Sequence, residues 1–124
     1  MYRAKSTPDG WHSVTPRLVV QDPKLLVRFL KDTFDASGEF APDAPSQMRI
    51  GDSIVMVSGS GPRDARPAFL YVYVDDVDAT YRRALQAGAA SIEEPKEVPY
   101  GDRRAMVKDP SGNEWQIATR RCGN

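Results

Sequence analysis

Apolar and polar positions along the chain pass twice through the same series of periods. Val14 to Val20 is a β-rich run, and after it Leu25, Leu26, Phe29, Leu30 and Phe34 fall on one apolar stripe at helical spacing. Asp22-Pro23 supplies an N-cap and a proline at the first helical position, so a helix is predicted from Pro23 to about Asp35, with Gly38 as its stop. Short strands are predicted at Gly38 to Phe40, Gln47 to Ile50 and Ser53 to Val57, the last two joined by a tight turn at Gly51-Asp52.

The breaker-rich stretch Gly59 to Pro67 separates this unit from a second one with the same grammar. A strand at Ala68 to Val74 leads to the caps Asp75 and Asp76 and a helix to about Ala87, closed by Gly88. Strands are then predicted at Ala90 to Glu94, Arg103 to Lys108 and Glu114 to Thr119, with Asp109-Pro110-Ser111-Gly112-Asn113 as the last turn. The order β-α-β-β-β is therefore read twice, over 13–58 and 68–120. Asp22 and Asp76 hold the same strand-to-helix junction, and Ile50 to Met56 lies over Ser111 to Ile117, a turn glycine followed by a strand in each. An internal duplication within one α+β domain over 11–121 is the economical reading. Residues 1–10, ending in the turn Pro8-Asp9-Gly10, read as a flexible lead-in. The alternative is an ordinary α+β sandwich whose halves match by chance.

Composition narrows the function. A chain of 124 residues supports one core, and 17 Lys+Arg against 17 Asp+Glu leave no net charge to attract nucleic acid or an anionic membrane. No apolar run is long enough to span a bilayer, Met1 to Gly10 lacks the core of a secretory signal, and a cytoplasmic location is expected. The single cysteine, Cys122, forms no intramolecular disulfide and reads as a tail residue. The single histidine, His12, reads as the neutral partner of a local hydrogen bond at a strand edge. One histidine also means that no single subunit builds a site of two histidines and a carboxylate.

Four segments in order carry a family resemblance. Trp11-His12-Ser13-Val14-Thr15-Pro16-Arg17-Leu18-Val19-Val20 resembles a first strand, and Tyr71-Val72-Tyr73-Val74-Asp75-Asp76-Val77-Asp78-Ala79 a second-half strand and helix start. Tyr100-Gly101-Asp102-Arg103 and Asp109-Pro110-Ser111-Gly112-Asn113-Glu114-Trp115 complete the set. Together they resemble the vicinal oxygen chelate superfamily of glyoxalases, bleomycin-resistance proteins and extradiol dioxygenases, and within it the PhnB-like branch. The resemblance implies two βαβββ modules that form a curved mixed-sheet cup, helices outside, a ligand pocket on the concave face, and a homodimer. It also implies four ligand positions in metal-using relatives, which here fall on Thr15, Val55, Phe69 and Gln116. None is His, Glu or Asp, so no metal and no other cofactor is expected, unless a site is completed across a dimer.

Strand alternation extends those positions into a face. If Thr15 points inward, so do Arg17 and Val19; Phe69 brings Tyr71 and Tyr73, Gln116 brings Glu114 and Ala118, and Val55 brings Ser53 and Val57. Three aromatics, an arginine and a glutamine in an aliphatic cup suit a small-molecule site. The same aromatics could instead fill a closed core, although buried unpaired hydroxyls and a buried guanidinium would oppose that. Arg17 suits an anionic partner, or pairs internally with Glu114. Tyr100 and Arg103, with Asp102 and Arg104, resemble a pocket-rim segment, while the arginines by themselves read as a solvated charge run. The function this supports is metal-independent binding of a small aromatic or anionic molecule. The alternatives are a metal-free lyase, isomerase or cyclase using Tyr, Glu or Arg acid-base chemistry, and a structural partner for another protein.

Overall fold

The computed structural model describes residues 6–61 and 63–121, so the tail reading of Cys122 and the first half of the lead-in fall outside the described residues. Among the described residues seven strands and two helices follow in the order β1 (Arg17–Val20), α1 (Pro23–Phe34), β2 (Ser46–Ile50), β3 (Ser53–Gly59), β4 (Phe69–Tyr73), α2 (Val77–Gln86), β5 (Ala90–Glu97), β6 (Asp102–Lys108) and β7 (Glu114–Arg120). They form two sheets, ordered β1-β3-β2 and β4-β7-β6-β5. In each half the first strand pairs in parallel with the last, β1 with β3 and β4 with β7, and the remaining pairs are antiparallel. This is the α+β plan predicted, with each helix laid on one face of its own sheet.

Both helices start where the sequence places them. The Asp22 carboxylate accepts the Leu25 N–H at 3.2 Å, and Asp76 accepts that of Ala79 at 3.1 Å, so each carboxylate satisfies one of the amides a helix start leaves unpaired. Helix α1 buries Leu26, Val27, Phe29, Leu30 and Phe34, while Leu25, expected on that stripe, is exposed. Helix α2 buries Val77, Thr80 and Ala84. The helices pack on each other, and there the Arg83 guanidinium donates to the Thr33 carbonyl at 3.2 Å. The Phe34 ring meets Trp115 of β7 at 5.0 Å between centroids. One apolar core thus runs through both halves, from Leu18 and Val57 to Val107 and Ile117.

The boundaries that moved did so for local reasons. Strand β1 begins at Arg17 rather than Val14, because Pro16 has no N–H to give a ladder and only its carbonyl is used, by Met56 N–H at 2.9 Å. Val14 is left 80% exposed. Helix α1 stops at Phe34 on a left-handed Asp35, before Gly38 is reached. Gly38 has another duty, since at φ +122° a Cβ there would lie 2.3 Å from the Gln47 carbonyl oxygen. The strand expected at Gly38 to Phe40 contracts to one bridge between Ser37 and Arg49. In the lead-in, the Trp11 N–H closes on the Pro8 carbonyl at 3.1 Å, and Arg49 reaches the Gly10 carbonyl at 3.4 Å. Part of that segment is therefore tied to β2.

Candidate ligand-binding face

The last turn of the second half sets the frame of the site. The buried Asp109 carboxylate accepts the Ser111 N–H at 2.8 Å, the Asn113 N–H at 3.0 Å, the Asn113 Nδ2 at 3.1 Å and the Trp115 Nε1 at 2.8 Å. The Asn113 side-chain oxygen in turn accepts the Ala68 N–H at 2.9 Å, which joins the turn to the start of β4. The register that follows puts Phe69 beside Glu114, Tyr71 beside Gln116 and Tyr73 beside Ala118. Partners in a parallel ladder share a face, so these six lie on the side of the sheet away from α2, and Leu70, Val72, Trp115 and Ile117 lie on the core side.

That face is open. Phe69 is 63% exposed and Tyr73 59%, which excludes a closed core of these aromatics within one chain. Beneath their hydroxyls sits Asp102, with 0% exposure. Its Oδ2 accepts the phenol protons of Tyr71 at 2.6 Å and Tyr73 at 2.8 Å, and its Oδ1 accepts Arg120 Nη1 at 3.1 Å. The Tyr100 hydroxyl lies 3.1 Å from that of Tyr71 and accepts Arg104 Nη1 at 3.0 Å. Arg104 is held in turn by Glu93 at 2.7 Å.

The electrostatics follow from these bonds. Donation by Tyr71, then by Tyr73 and Arg120, holds the Asp102 carboxyl below its ordinary value even though burial opposes it. Burial and the bond to Asp102 push the Tyr71 phenol far above its ordinary value, and the bond to Asp102 raises Tyr73 as well. Around neutral pH the site therefore holds two neutral phenols over one carboxylate.

Of the residues expected from sequence, Phe69, Tyr71, Tyr73, Glu114 and Gln116 come together on this face, and Tyr100 joins them through its hydroxyl. Arg103 does not. It alternates with Ala105 and Val107, whose apolar side chains mark the core side, and its guanidinium forks onto Asp78 of α2 at 2.9 and 3.0 Å and reaches Glu97 at 3.2 Å. Asp102 and Arg104, its neighbours, take the open face, and the alternation of Ala105 and Val107 was the signal that could have assigned them.

The first half corrects further expectations. Arg17 pairs in register with Met56 and Leu18 with Val57, so Val55 and Val57 lie buried on the helix side with Leu18, not beside Arg17. Counting from the turn glycine misplaced them because the β2–β3 hairpin pairs Ile50 directly with Ser53, whereas β6 and β7 are joined by the longer turn 109–113. A one-residue slip moves a whole strand's side chains to the opposite face. The structural counterpart of Gln116 is therefore Met56. Val55 still lines, with Tyr71 and Tyr73, a cleft of about 290 Å³ between the β2–β3 hairpin and β4. Thr15 lies half-buried in the segment before β1. Arg17 donates to Ser58 Oγ at 2.9 Å on the open side of the first sheet, so it is not the partner of Glu114, which stands on the second sheet. His12 is exposed and makes no hydrogen bond among the described residues, against the local bond expected for it.

Metal chemistry does not fit these residues. Thr15, Phe69, Gln116 and either Val55 or Met56 offer a hydroxyl, a phenyl ring, a neutral amide and an alkyl or thioether group, a poor set for the divalent ions such folds hold. No cluster of three or more His, Cys, Asp or Glu suited to a metal occurs among the described residues. None of their helices is long and apolar enough to cross a membrane.

Comparison with known proteins bears on the family and the fold. The model of the family described as Glyoxalase/Bleomycin resistance protein/Dioxygenase superfamily matches residues 12–117. An uncharacterized protein of Mycobacterium bovis, Mb0911c, is 30% identical over 123 residues, covering 85% of this chain and 81% of that one. Among solved structures, TioX from Micromonospora sp. ML1 superposes with a TM-score of 0.73 at 24% identity, covering 86% of this chain and 96% of TioX. A glyoxalase-related enzyme from Fulvimarina pelagi gives 0.74 at 20% identity, covering 88% of each chain. At these identities the two structures speak for the fold alone.

Proposed function

The chain belongs to the glyoxalase/bleomycin resistance protein/dioxygenase superfamily, and from that premise we propose that it is a metal-independent protein that binds a small aromatic or anionic molecule on the open face of the β4-β7-β6-β5 sheet. The observation that carries the reading is the row Phe69, Tyr71 and Tyr73, three exposed aromatic side chains on one face of the sheet, two of them tied through their hydroxyls to the buried Asp102. Exposed aromatics that are rigidly held make a stacking surface at little entropic cost.

The same bonds argue for binding over proton transfer. A general base must take a proton near neutral pH, yet both phenols are pushed to higher pKa and Asp102 is already occupied by three donors. Arg17 lies on the open face of the other sheet, where it suits an anionic group. A homodimer belongs to this proposal, because each sheet has one face without a helix and a second copy would cover both and close the cup. So do membership of the PhnB-like branch and a cytoplasmic location, with which a chain of one cysteine agrees.

Thermal denaturation against a panel of metabolites and antibiotics, each run with EDTA and with added divalent ions, tests the reading. A compound that binds only the folded state raises the melting temperature. The expected result is a rise of several degrees that survives EDTA and is lost in Phe69→Ala/Tyr73→Ala. A rise that needs a metal, or that the double substitution leaves intact, would overturn it. Light scattering at tens of micromolar should give twice the chain mass.

A further inference from the structure

The hydrogen bonds on the aromatic face have a fixed direction, and that direction selects what can bind. An ionised carboxylate only accepts, so Tyr71 and Tyr73 both spend their single phenol proton on Asp102. Arginine only donates, so Tyr100 accepts from Arg104, and with the Tyr71 proton already placed, Tyr100 gives its own proton to Tyr71. Every hydroxyl proton of the cluster therefore points inward or sideways. Of these rings and their hydroxyls, what remains is acceptor: the exposed aromatic rings of Phe69, Tyr71 and Tyr73, and the lone pairs of the Tyr73 hydroxyl, whose proton is taken by Asp102. A phenol that donates to a carboxylate also gains electron density, which strengthens the pull of its ring on positive charge. The two guanidinium groups beside the shelf already have carboxylate partners, Arg104 in Glu93 and Arg120 in Asp102.

From this we infer that the shelf of Phe69, Tyr71 and Tyr73 takes a planar ring bearing hydrogen-bond donors, neutral or cationic, and discriminates against planar anions. The inference rests on the reading of this face as the ligand site and narrows its ligand class; an anionic group, where one is bound, falls to Arg17 on the other sheet.

Three probes with one ring and different head groups separate the possibilities: naphthalene-2-carboxamidine, 2-naphthamide and 2-naphthoate, titrated at pH 7 into the full chain by calorimetry. The expected order is amidine, then amide, then naphthoate, with at least tenfold between the first and last. Tyr73→Phe keeps the ring and removes the outward acceptor, and should cut the gap to threefold or less. Asp102→Asn should do more, since an asparagine Nδ2 donates to a phenol oxygen and turns a phenol proton outward, raising naphthoate affinity over the wild type. If Asp102→Asn does not fold, Tyr73→Phe alone decides. Naphthoate binding as tightly as the amidine in the wild type would overturn the selectivity while leaving the site intact. A gap that Tyr73→Phe does not change would overturn its assignment to the phenols. Failure of all three probes to bind would overturn the site itself.

Discussion

The two halves share a plan and differ most at their last turn. The first closes β2 onto β3 with Gly51 and Asp52, where the Asp52 carboxylate takes only the Ser53 hydroxyl at 3.1 Å. The second closes β6 onto β7 with five residues wrapped on Asp109, and pins that loop to β4 through Asn113. A fourth strand, β5, widens the second sheet, where the first has only the bridge at Ser37. The face carrying fixed hydroxyls belongs to the tied half. A duplicated fold has thus put rigidity and chemistry on the same side.

Breaking the tie should cost most. Asp109→Ala leaves two backbone amides, the Asn113 side chain and the Trp115 indole without their acceptor in a buried turn, and about 3 kcal/mol of stability should be lost in urea denaturation. A loss under about 1 kcal/mol would show that the loop does not hold β7. Gly38→Ala attacks the other half at its close approach to Gln47, and strain there should cost about 2 kcal/mol in the same measurement.

A pH titration comes next in size. The phenols of Tyr71 and Tyr73 are raised in the fold, so their contribution is complete below the unfolded value of 10.0 and is lost as pH rises above it. The melting temperature should fall above pH 10, and fall less steeply in Tyr71→Phe/Tyr73→Phe. Asp102 has the opposite sign: its carboxyl is lowered, so its contribution is present above the unfolded value of 3.8 and is lost as pH drops below it. The smallest effect is expected at Asp52→Ala, within about 0.5 kcal/mol, because that carboxylate serves one exposed hydroxyl. A cost near that of Asp109→Ala would erase the contrast between the turns.

Much of this was legible in the sequence where the signal is local. Asp22-Pro23 and Asp76 mark both helix starts through their side-chain chemistry, and the alternation of Phe69, Tyr71 and Tyr73 against Leu70 and Val72 fixes both faces of β4. Strand β3 was not legible in this way, because Ile54, Val55, Met56 and Val57 are all apolar and alternation has nothing to contrast. Its face is set by pairing with β1 and by a turn length that a count from Gly51 does not capture. Asp102 was noted only as part of a rim segment, since a carboxylate reads as solvated until the phenols and Arg120 that converge on it are brought together from β4 and β7.

The bond from Ala68 to Asn113 also bears on the order in which the chain assembles. It spans 45 positions and forms beside the first rung of the parallel β4–β7 ladder, so the second sheet cannot close until α2, β5 and β6 have been threaded between its ends. Closing a loop of that length is paid in chain entropy before the ladder returns anything. If the Asp109 turn is already wound at the barrier, Asp109→Ala will slow refolding and leave the unfolding rate nearly unchanged; if it winds afterwards, the unfolding arm alone will rise.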